Sequence, residues 1–356
     1  MLRYQTAGES HGPSLIAVLE GMPAGLPVTE AMINADLARR QIPLGAGARM
    51  TIETDRAQIL AGVMEGVTTG APIAMQIANK DHASWKGRAV TAYTTPRPGH
   101  ADLAAAIKYQ YADIRPSLER ASARETAPRC AVGALCRALL KQFGIEVAGH
   151  IVQIGAEKNP EAFASTIEAA RDAGESLGGI IEIVVTGVPI GLGSHVAAER
   201  RLDARLAQAM LSVQAMKGVE IGDAFANATR PGTAAHDPIA TDLSRPSNRC
   251  GGIEGGMSNG QPIWLRVAMK PIPTTTKPQH TVDLVTGQGS PTTYERSDVC
   301  PTPRAVVVLE AMAAFVIADA LLEKLGGDSL TEITPRFEQI KTMQPHLTGG
   351  THVFWA

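Results

Sequence analysis

Two histidines lie in glycine-containing turns, where their rings could donate or accept protons. His11 follows Ser10 in GESHG, and His100 lies in RPGHAD, where a helix is predicted to start. An imidazole titrates near neutral pH, which makes histidine the commonest general acid or base. Either histidine alone would be interpreted as an ordinary turn residue, so its chemistry has to be judged from the residues that accompany it.

Serine and arginine residues accompany the histidines in two further segments. ERASARET contains Ser122 and Arg124, and ARRQIPLGAGARM contains Arg40 and Arg49. A guanidinium group is a planar fork that binds a carboxylate or a phosphate through two parallel hydrogen bonds. These residue types favour a small ligand that carries several negative charges.

The bulk composition excludes several classes of partner. In 356 residues, 33 basic side chains nearly balance 35 acidic ones, which gives no reason to expect nucleic acid or an anionic membrane. The first residues lack the basic-then-apolar order of a signal peptide, and Glu310 and Asp319 interrupt the most apolar run. The four cysteines show no metal-type spacing, so no metal site is predicted. We therefore expect a soluble, cytoplasmic protein with free thiols.

Strand and helix patterns alternate along the chain that must position these residues. The predicted strands are SLIAVLEG, MTIETD, APIAMQIA, EVAGHIVQIG, GIIEIVVTGV and PIWLRVAMK. The predicted helices are EAMINADLARR, ADLAAAIKYQYA, ETAPRCAVGALCRALLKQFG, PEAFASTIEAARDAG, RRLDARLAQAMLSVQAM and PRAVVVLEAMAAFVIADALLEKLGG. Thr29 is expected to cap the first of them. The helices at 125–143 and 303–325 are apolar on nearly all sides, so we expect them to pack between sheets. A loop over about 226–249 is long enough to cover a site.

Two motifs suggest other functions but lack the required context. GESHG fits G-x-S-x-G, the serine nucleophile elbow, yet a strand rather than a helix is predicted to follow it. A serine hydrolase is therefore a minority hypothesis. GAGA at 45–48 leads into a predicted strand, whereas a dinucleotide fingerprint opens a helix, and the chain has no Walker-type motif. No nicotinamide-binding module is predicted.

The order of the motifs resembles that of the chorismate synthase family. GESHGP, RPGHAD, SARET, RLDARLAQAM, KGVEIG, GGIEGGMSNGQPI, KPIPT and ERSD follow one another over about residues 1–325. The resemblance implies a single α+β domain over 1–356, built as a β-α-β sandwich in which two antiparallel sheets enclose central helices. The tail over about 327–356 is poorly matched to the family pattern.

The resemblance also implies a reaction. It is the anti 1,4-elimination of phosphate from 5-enolpyruvylshikimate 3-phosphate to give chorismate, the last step of the shikimate pathway. Reduced FMN is the implied cofactor, its reductant is expected from outside the protein with NADPH as a candidate source, and the implied assembly is a homotetramer. A non-catalytic protein that binds FMN or a phosphorylated metabolite on the same scaffold is the alternative hypothesis.

The family's site residues carry over to individual positions of this chain. The resemblance makes His11 the group at the leaving phosphate, His100 the group that protonates the reduced flavin, and Asp298 the acid that helps to remove the ring proton. The implied substrate-binding residues are Ser10, Arg40, Arg49, Arg124 and Arg296. The implied cofactor-binding residues are Arg120, Ala121, Ser122, Gln214, Ala215, Gly255, Lys270, Pro271, Ile272, Pro273, Thr274 and Arg296.

Three positions depart from the family pattern. Gln214 replaces a frequent asparagine, Ala46 replaces an arginine of close relatives, and Ala224 replaces a frequent glycine. The first change affects an implied flavin contact, and the second removes one positive charge from the substrate side. His11, His100 and Asp298 are all present, so the implied chemistry is retained.

Overall fold

The computed structural model describes residues 1–42, 44–46, 54–294 and 297–351. Within them the strands are β1 (Arg3–Ala7), β2 (Ser14–Glu20), β3 (Ala57–Ala61), β4 (Val63–Met64), β5 (Val67–Thr68), β6 (Ile73–Ala78), β7 (Glu146–Ile154), β8 (Gly179–Thr186), β9 (Met216–Ile221), β10 (Ile253–Glu254), β11 (Met257–Ser258), β12 (Ile263–Met269), β13 (His280–Val282) and β14 (Gly289–Pro291). The helices are α1 (Glu30–Arg40), α2 (His82–Trp85), α3 (Asp102–Tyr109), α4 (Arg115–Arg120), α5 (Thr126–Lys141), α6 (Phe163–Asp172), α7 (Leu202–Leu211), α8 (Ala224–Asn227), α9 (Gly232–Ala235), α10 (Thr302–Leu325) and α11 (Leu330–Thr342).

Two four-stranded antiparallel sheets form the framework. Their strand orders are β1-β2-β6-β3 and β7-β8-β12-β9. In β2, Leu15, Ala17 and Leu19 are buried, while the residues between them are partly exposed. This alternation is typical of an antiparallel sheet that packs one face against a core. The predicted α+β class is confirmed.

Helices α5 and α10 form the centre of the core. They pack extensively on each other, α5 contacts β2 and β6 of the first sheet, and α10 contacts β7 and β8 of the second. The two helices approach so closely at Gly133 that an added Cβ would lie 2.2 Å from the Cβ of Ala311. Burial on nearly all sides explains why both sequences are apolar all round.

Helix α10 is long and apolar enough to cross a membrane, but it is an interior helix. Of its most apolar 18-residue window, 94% is buried inside the protein. Its charged residue Glu310 accepts hydrogen bonds from Arg39, from Arg137 and from the backbone N–H of Gly149. A buried carboxylate is tolerated when it is paired and hydrogen-bonded in this way.

Several elements were not predicted from the sequence. Strands β1 and β3, of five residues each, were not predicted. The predicted helix over 200–216 ends at Leu211 instead of continuing to Met216. There Ala215 adopts φ 67°, which turns the chain into β9. In the tail, Ser329 caps α11 by accepting from the N–H of Glu332, and Ile333 and Phe337 are buried against the core.

Other predictions can be compared directly with the structure. Thr29 caps α1 as expected, through its side-chain oxygen. The strand predicted at MTIETD lies largely outside the described residues. The loop over 226–249 contains the short α9, and its Asp237 accepts from the N–H groups of Arg249 and Cys250, but it does not contribute to the described lining of the main cavity.

Candidate active site

A cavity of about 440 Å³ opens where the two sheets and the starts of α5 and α10 meet. His11, His100 and Asp298 all line it, although they come from distant parts of the chain. The other lining residues are Ser10, Arg40, Asp81, Trp85, Arg97, Gly99, Ala101, Leu118, Ala121, Ser122, Ala123, Arg124, Gln214, Ala215, Met269, Lys270, Ile272, Pro273, Thr274, Ser297, Pro301 and Arg304. The volume falls within the range of about 300–1,000 Å³ that is usual for ligand pockets.

The GESHG turn fixes the orientation of His11. Glu119 accepts from the backbone N–H of His11 at 2.8 Å, and its other oxygen lies 2.6 Å from His11 Nδ1. The imidazole also packs against Trp85, with ring centroids 4.2 Å apart and ring planes tilted by 34°. The carboxylate on Nδ1 and the aromatic ring beside it together restrict the orientation of the imidazole. With Nδ1 held by Glu119, Nε2 is the nitrogen that can meet a ligand.

The same turn lacks the geometry of a nucleophile elbow. GESHG connects β1 to β2, which pair with each other as antiparallel strands, whereas the elbow connects a strand to a helix. The hydroxyl of Ser10 donates to that of Ser122 at 3.1 Å, and His11 is engaged by Glu119. The minority hypothesis of a serine hydrolase therefore loses its structural basis.

His100 belongs to a buried network of three side chains. Asp102, at the first position of α3, is fully buried and lies 2.5 Å from His100 Nδ1. It also accepts from Nε of Arg97 at 2.8 Å and from its Nη2 at 3.1 Å. Burial acts to raise the pKa of Asp102, but the hydrogen bonds from His100 and Arg97 outweigh it and hold that pKa well below its usual range. His100 thus shares its carboxylate with a guanidinium group.

Two buried arginines converge on one carboxylate beside the cavity. Arg40 Nη1 donates to Asp55 at 2.9 Å, and Arg124 donates to the other oxygen of Asp55. Arg124 Nε also donates to Asn79 at 2.9 Å, and Arg40 Nε donates to Thr126 at 3.0 Å. The two guanidinium groups place positive charge in one wall of the cavity, and guanidinium is the side-chain group that binds carboxylate and phosphate through paired hydrogen bonds.

Asp298 forms an ion pair with Arg304 at the start of α10. Arg304 Nη1 donates to Asp298 Oδ2 at 2.6 Å, and both residues line the cavity. The second terminal nitrogen of Arg304, Nη2, is buried and has no hydrogen-bond partner within the described residues. Asp298 was predicted from the family motif, whereas Arg304 was not.

Gln214 and Ala215 form another part of the cavity lining, the Gln214 ledge. Gln214 Nε2 donates to Glu125 at 2.8 Å, while its buried Oε1 has no hydrogen-bond partner among the described residues. Ala215 occupies the left-handed region, and its carbonyl accepts from the N–H of Lys270 at 3.0 Å. Burial, together with the charge of Lys217, lowers the pKa of Lys270. An unpaired amide oxygen and a strained backbone are common at ligand sites.

The structure brings most, but not all, of the predicted cofactor residues to the cavity. Ala121, Ser122, Ile272, Pro273 and Thr274 line it together with the Gln214 ledge and Lys270. Three other predicted residues do not contribute to its described lining: Arg120, Pro271 and Gly255. Arg120 donates to the carbonyls of Thr6 and Gly8, and Gly255 lies in the turn between β10 and β11. The predicted Arg49 and Arg296 lie outside the described residues.

Several charged and aromatic residues of the site were not predicted. Arg97 lies within RPGHAD, three positions before His100, so its proximity to His100 was a local signal. Glu119 lies 108 positions from His11, and Asp55 lies 69 positions from Arg124. No pattern in a single sequence indicates such long-range pairs.

Comparisons with known proteins agree with the geometry. The family model described as chorismate synthase matches residues 2–322. The chain is similar to a chorismate synthase of Thermoanaerobacter pseudethanolicus, with 50% identity over 95% of this chain and 97% of that protein. It is also similar to one of Geobacter metallireducens, with 48% identity over 95% of this chain and 98% of the relative. A crystal structure of chorismate synthase superposes with a TM-score of 0.77 at 41% identity, over 95% of this chain and 96% of that one.

Proposed function

This chain belongs to the chorismate synthase family, and from that premise we propose that its 440 Å³ cavity is the reaction site, with His11, His100 and Asp298 as catalytic residues. The family is a carbon–oxygen lyase that releases phosphate from 5-enolpyruvylshikimate 3-phosphate to form chorismate, the last step of the shikimate pathway. One observation carries the proposal: three titratable groups from distant segments share one cavity with buried arginines.

The arginine wall supports the binding of a multiply charged substrate. The substrate carries two carboxylates and a phosphate, and it loses hydration when it enters a closed site. Arg40 and Arg124, both of which line the cavity, would offset that loss with their positive charge. Ser10 lies beside them in the lining and offers a hydroxyl to the phosphate.

Other residues of the lining fit a flavin. Reduced FMN, the cofactor of the family, would supply transient electron density to the elimination when bound there. Gln214 would hold the cofactor through its unpaired Oε1, and Ala215 and Ser122 through their backbone. Lys270 and Thr274 offer further polar groups in that lining. A reductant outside the chain, with NADPH as the candidate source, belongs to this proposal.

Each catalytic residue has a role that its partner supports. Nε2 of His11 donates a proton or a strong hydrogen bond to the departing phosphate, and Glu119 stabilises the charged ring that this requires. His100 holds a proton for the reduced cofactor, with Asp102 on its Nδ1. Asp298 is a carboxylate paired with Arg304 and assists the removal of the ring proton.

The remaining family properties complete the proposal. The chain would form the single-domain β-α-β sandwich of the family, and the contacts of α5 with one sheet and of α10 with the other support this. The assembly is a homotetramer in the cytoplasm. Sedimentation of the purified protein tests the assembly independently of activity.

One anaerobic assay tests the function. Chemically reduced FMN and 5-enolpyruvylshikimate 3-phosphate are added to the purified protein, and chorismate is followed by its absorbance while phosphate is measured separately. Both products should appear in equal amounts. A protein that binds FMN but releases no phosphate under these conditions would support the alternative, a binding protein on the same scaffold.

A further inference from the structure

We propose that Arg304 is a further residue of this site, one that positions Asp298 through one terminal nitrogen and binds an anionic oxygen of the substrate through the other. This inference rests on the proposed function, because it takes the substrate to be a small polyanion. The family motifs used to identify the site end at ERSD, six positions before Arg304. The role of Arg304 therefore follows from its position and contacts in the structure.

The first turn of α10 places Arg304 in the cavity wall. Pro301 and Arg304 both line the cavity, and the arginine is 9% exposed. Its Nε faces the carbonyl of Ile42 at 3.4 Å, and its Nη1 is 2.6 Å from Asp298 Oδ2. Two of its three nitrogens are therefore committed to protein oxygens.

The third nitrogen, Nη2, has donors but no acceptor within the described residues. A buried N–H of a charged group that lacks a partner is costly, so such a group in a cavity wall indicates that a ligand supplies the acceptor. The neighbouring charges agree with an anion. Burial lowers the pKa of Arg304, Asp298 partly offsets this effect, and Arg40 adds to it. An anionic oxygen in the cavity that both arginines line would reduce their mutual repulsion.

The pairing with Asp298 gives Arg304 its second task. A charge-assisted hydrogen bond to a guanidinium group restricts the carboxylate to a few orientations. The guanidinium is itself held by the helix start and by Ile42. Substrate binding to Nη2 would thus fix the arginine further, and through it the carboxylate that assists the reaction.

The test separates the two tasks by measuring binding and turnover independently. Substrate binding is titrated by calorimetry on enzyme that contains oxidised FMN, where no turnover occurs, and kcat is measured with reduced FMN. R304Q should raise the substrate Kd by about 10- to 100-fold, the range for the loss of a hydrogen bond to a charged group. It should also lower kcat by at least about 10-fold, because Asp298 loses its anchor.

A double-mutant comparison distinguishes a direct contact from an effect through Asp298. In a D298N background, R304Q should still raise the substrate Kd but should have little further effect on kcat. If the effect on Kd disappears in that background, Arg304 makes no contact with the substrate and this half of the proposal is wrong. If R304Q alone leaves kcat unchanged, the positioning half is wrong.

Two further variants control for folding. R304K keeps the positive charge, but one ammonium cannot serve both Asp298 and the ligand, so kcat/KM should fall by about 10-fold; this variant decides the question if R304Q does not fold. R137K alters a guanidinium that pairs with Glu310 on the same helix outside the described cavity lining, and it should retain wild-type kcat and Kd. A wild-type protein that forms no chorismate would instead refute the proposed function.

Discussion

The two histidines of the site have the same kind of carboxylate partner but different surroundings. His11 shares Glu119 with its own backbone N–H and packs against Trp85. His100 shares Asp102 with Arg97, whose Nη2 also lies 3.1 Å from the imidazole Nδ1. The third partner is thus an aromatic ring for one imidazole and a guanidinium group for the other. The same pair of a histidine and a carboxylate is therefore placed in two chemically different environments.

Removing either ring should have the largest effect. His11→Ala and His100→Ala should each lower kcat by about 100-fold or more, which is the usual contribution of a general acid or base. Turnover is measured anaerobically with reduced FMN, and circular dichroism serves as the control for folding. Near-wild-type rates in both variants would contradict the assignment of these residues.

Neutralising the carboxylate partner of each histidine should lower the free energy of unfolding by different amounts. Asp102→Asn leaves the buried Arg97 without its anion and should reduce the free energy of unfolding by about 3 kcal/mol or more. Glu119→Gln retains a hydrogen-bond acceptor for His11 and should cost only about 1 kcal/mol. Urea unfolding measures both values. Equal decreases in the free energy of unfolding would show that Arg97 does not make the two sites differ in stability.

The low pKa of Asp102 makes the His100 side sensitive to acid. Because folding lowers the pKa of this carboxyl, its contribution to stability is fully present above the unfolded value of about 3.9 and is lost as the pH falls below it. The free energy of unfolding should therefore decrease from about pH 5 downward. Asp102→Asn should show a flatter pH dependence over the same range, and an unchanged slope would argue against the network.

The smallest expected effect lies at the other end of α3. Gln110 ends this helix with φ 54°, in the left-handed region that favours glycine. Gln110→Gly should stabilise the protein by up to about 1 kcal/mol without altering kcat. Thermal unfolding measures the shift. A loss of activity would show that the His100 network depends on the far end of its helix.

The sequence predicted local features better than distant pairs. The Thr29 cap, the buried helices α5 and α10 and the residues of RPGHAD were all indicated by short-range patterns. The strands β1 and β3 were missed because they are short. Helix α11 has a capping signal at Ser329 and Glu332, but it lies in the tail that the family pattern did not reach.

In the candidate site, too, residues within local motifs were predicted and contacts between distant segments were not. His11, His100 and Asp298 were predicted from motifs, but the sequence could not predict that Glu119 and Arg304 would complete two of their pairs. These contacts depend on how the sheets and central helices pack, and that packing is set by hundreds of residues together. Gly255, which the family pattern placed at the flavin, lies in the turn between β10 and β11.

The close contact of Gly133 with Ala311 in the core also has a consequence for the cavity. Gly133 lies seven residues after Thr126, where α5 begins, and Ala311 lies seven residues after Arg304, so each is about two turns from the cavity. A methyl group at Gly133 would wedge the helices apart and widen the gap between Arg124 and Arg304. If both guanidinium groups bind the substrate as proposed, the distance between them depends on a residue whose side chain is a single hydrogen atom.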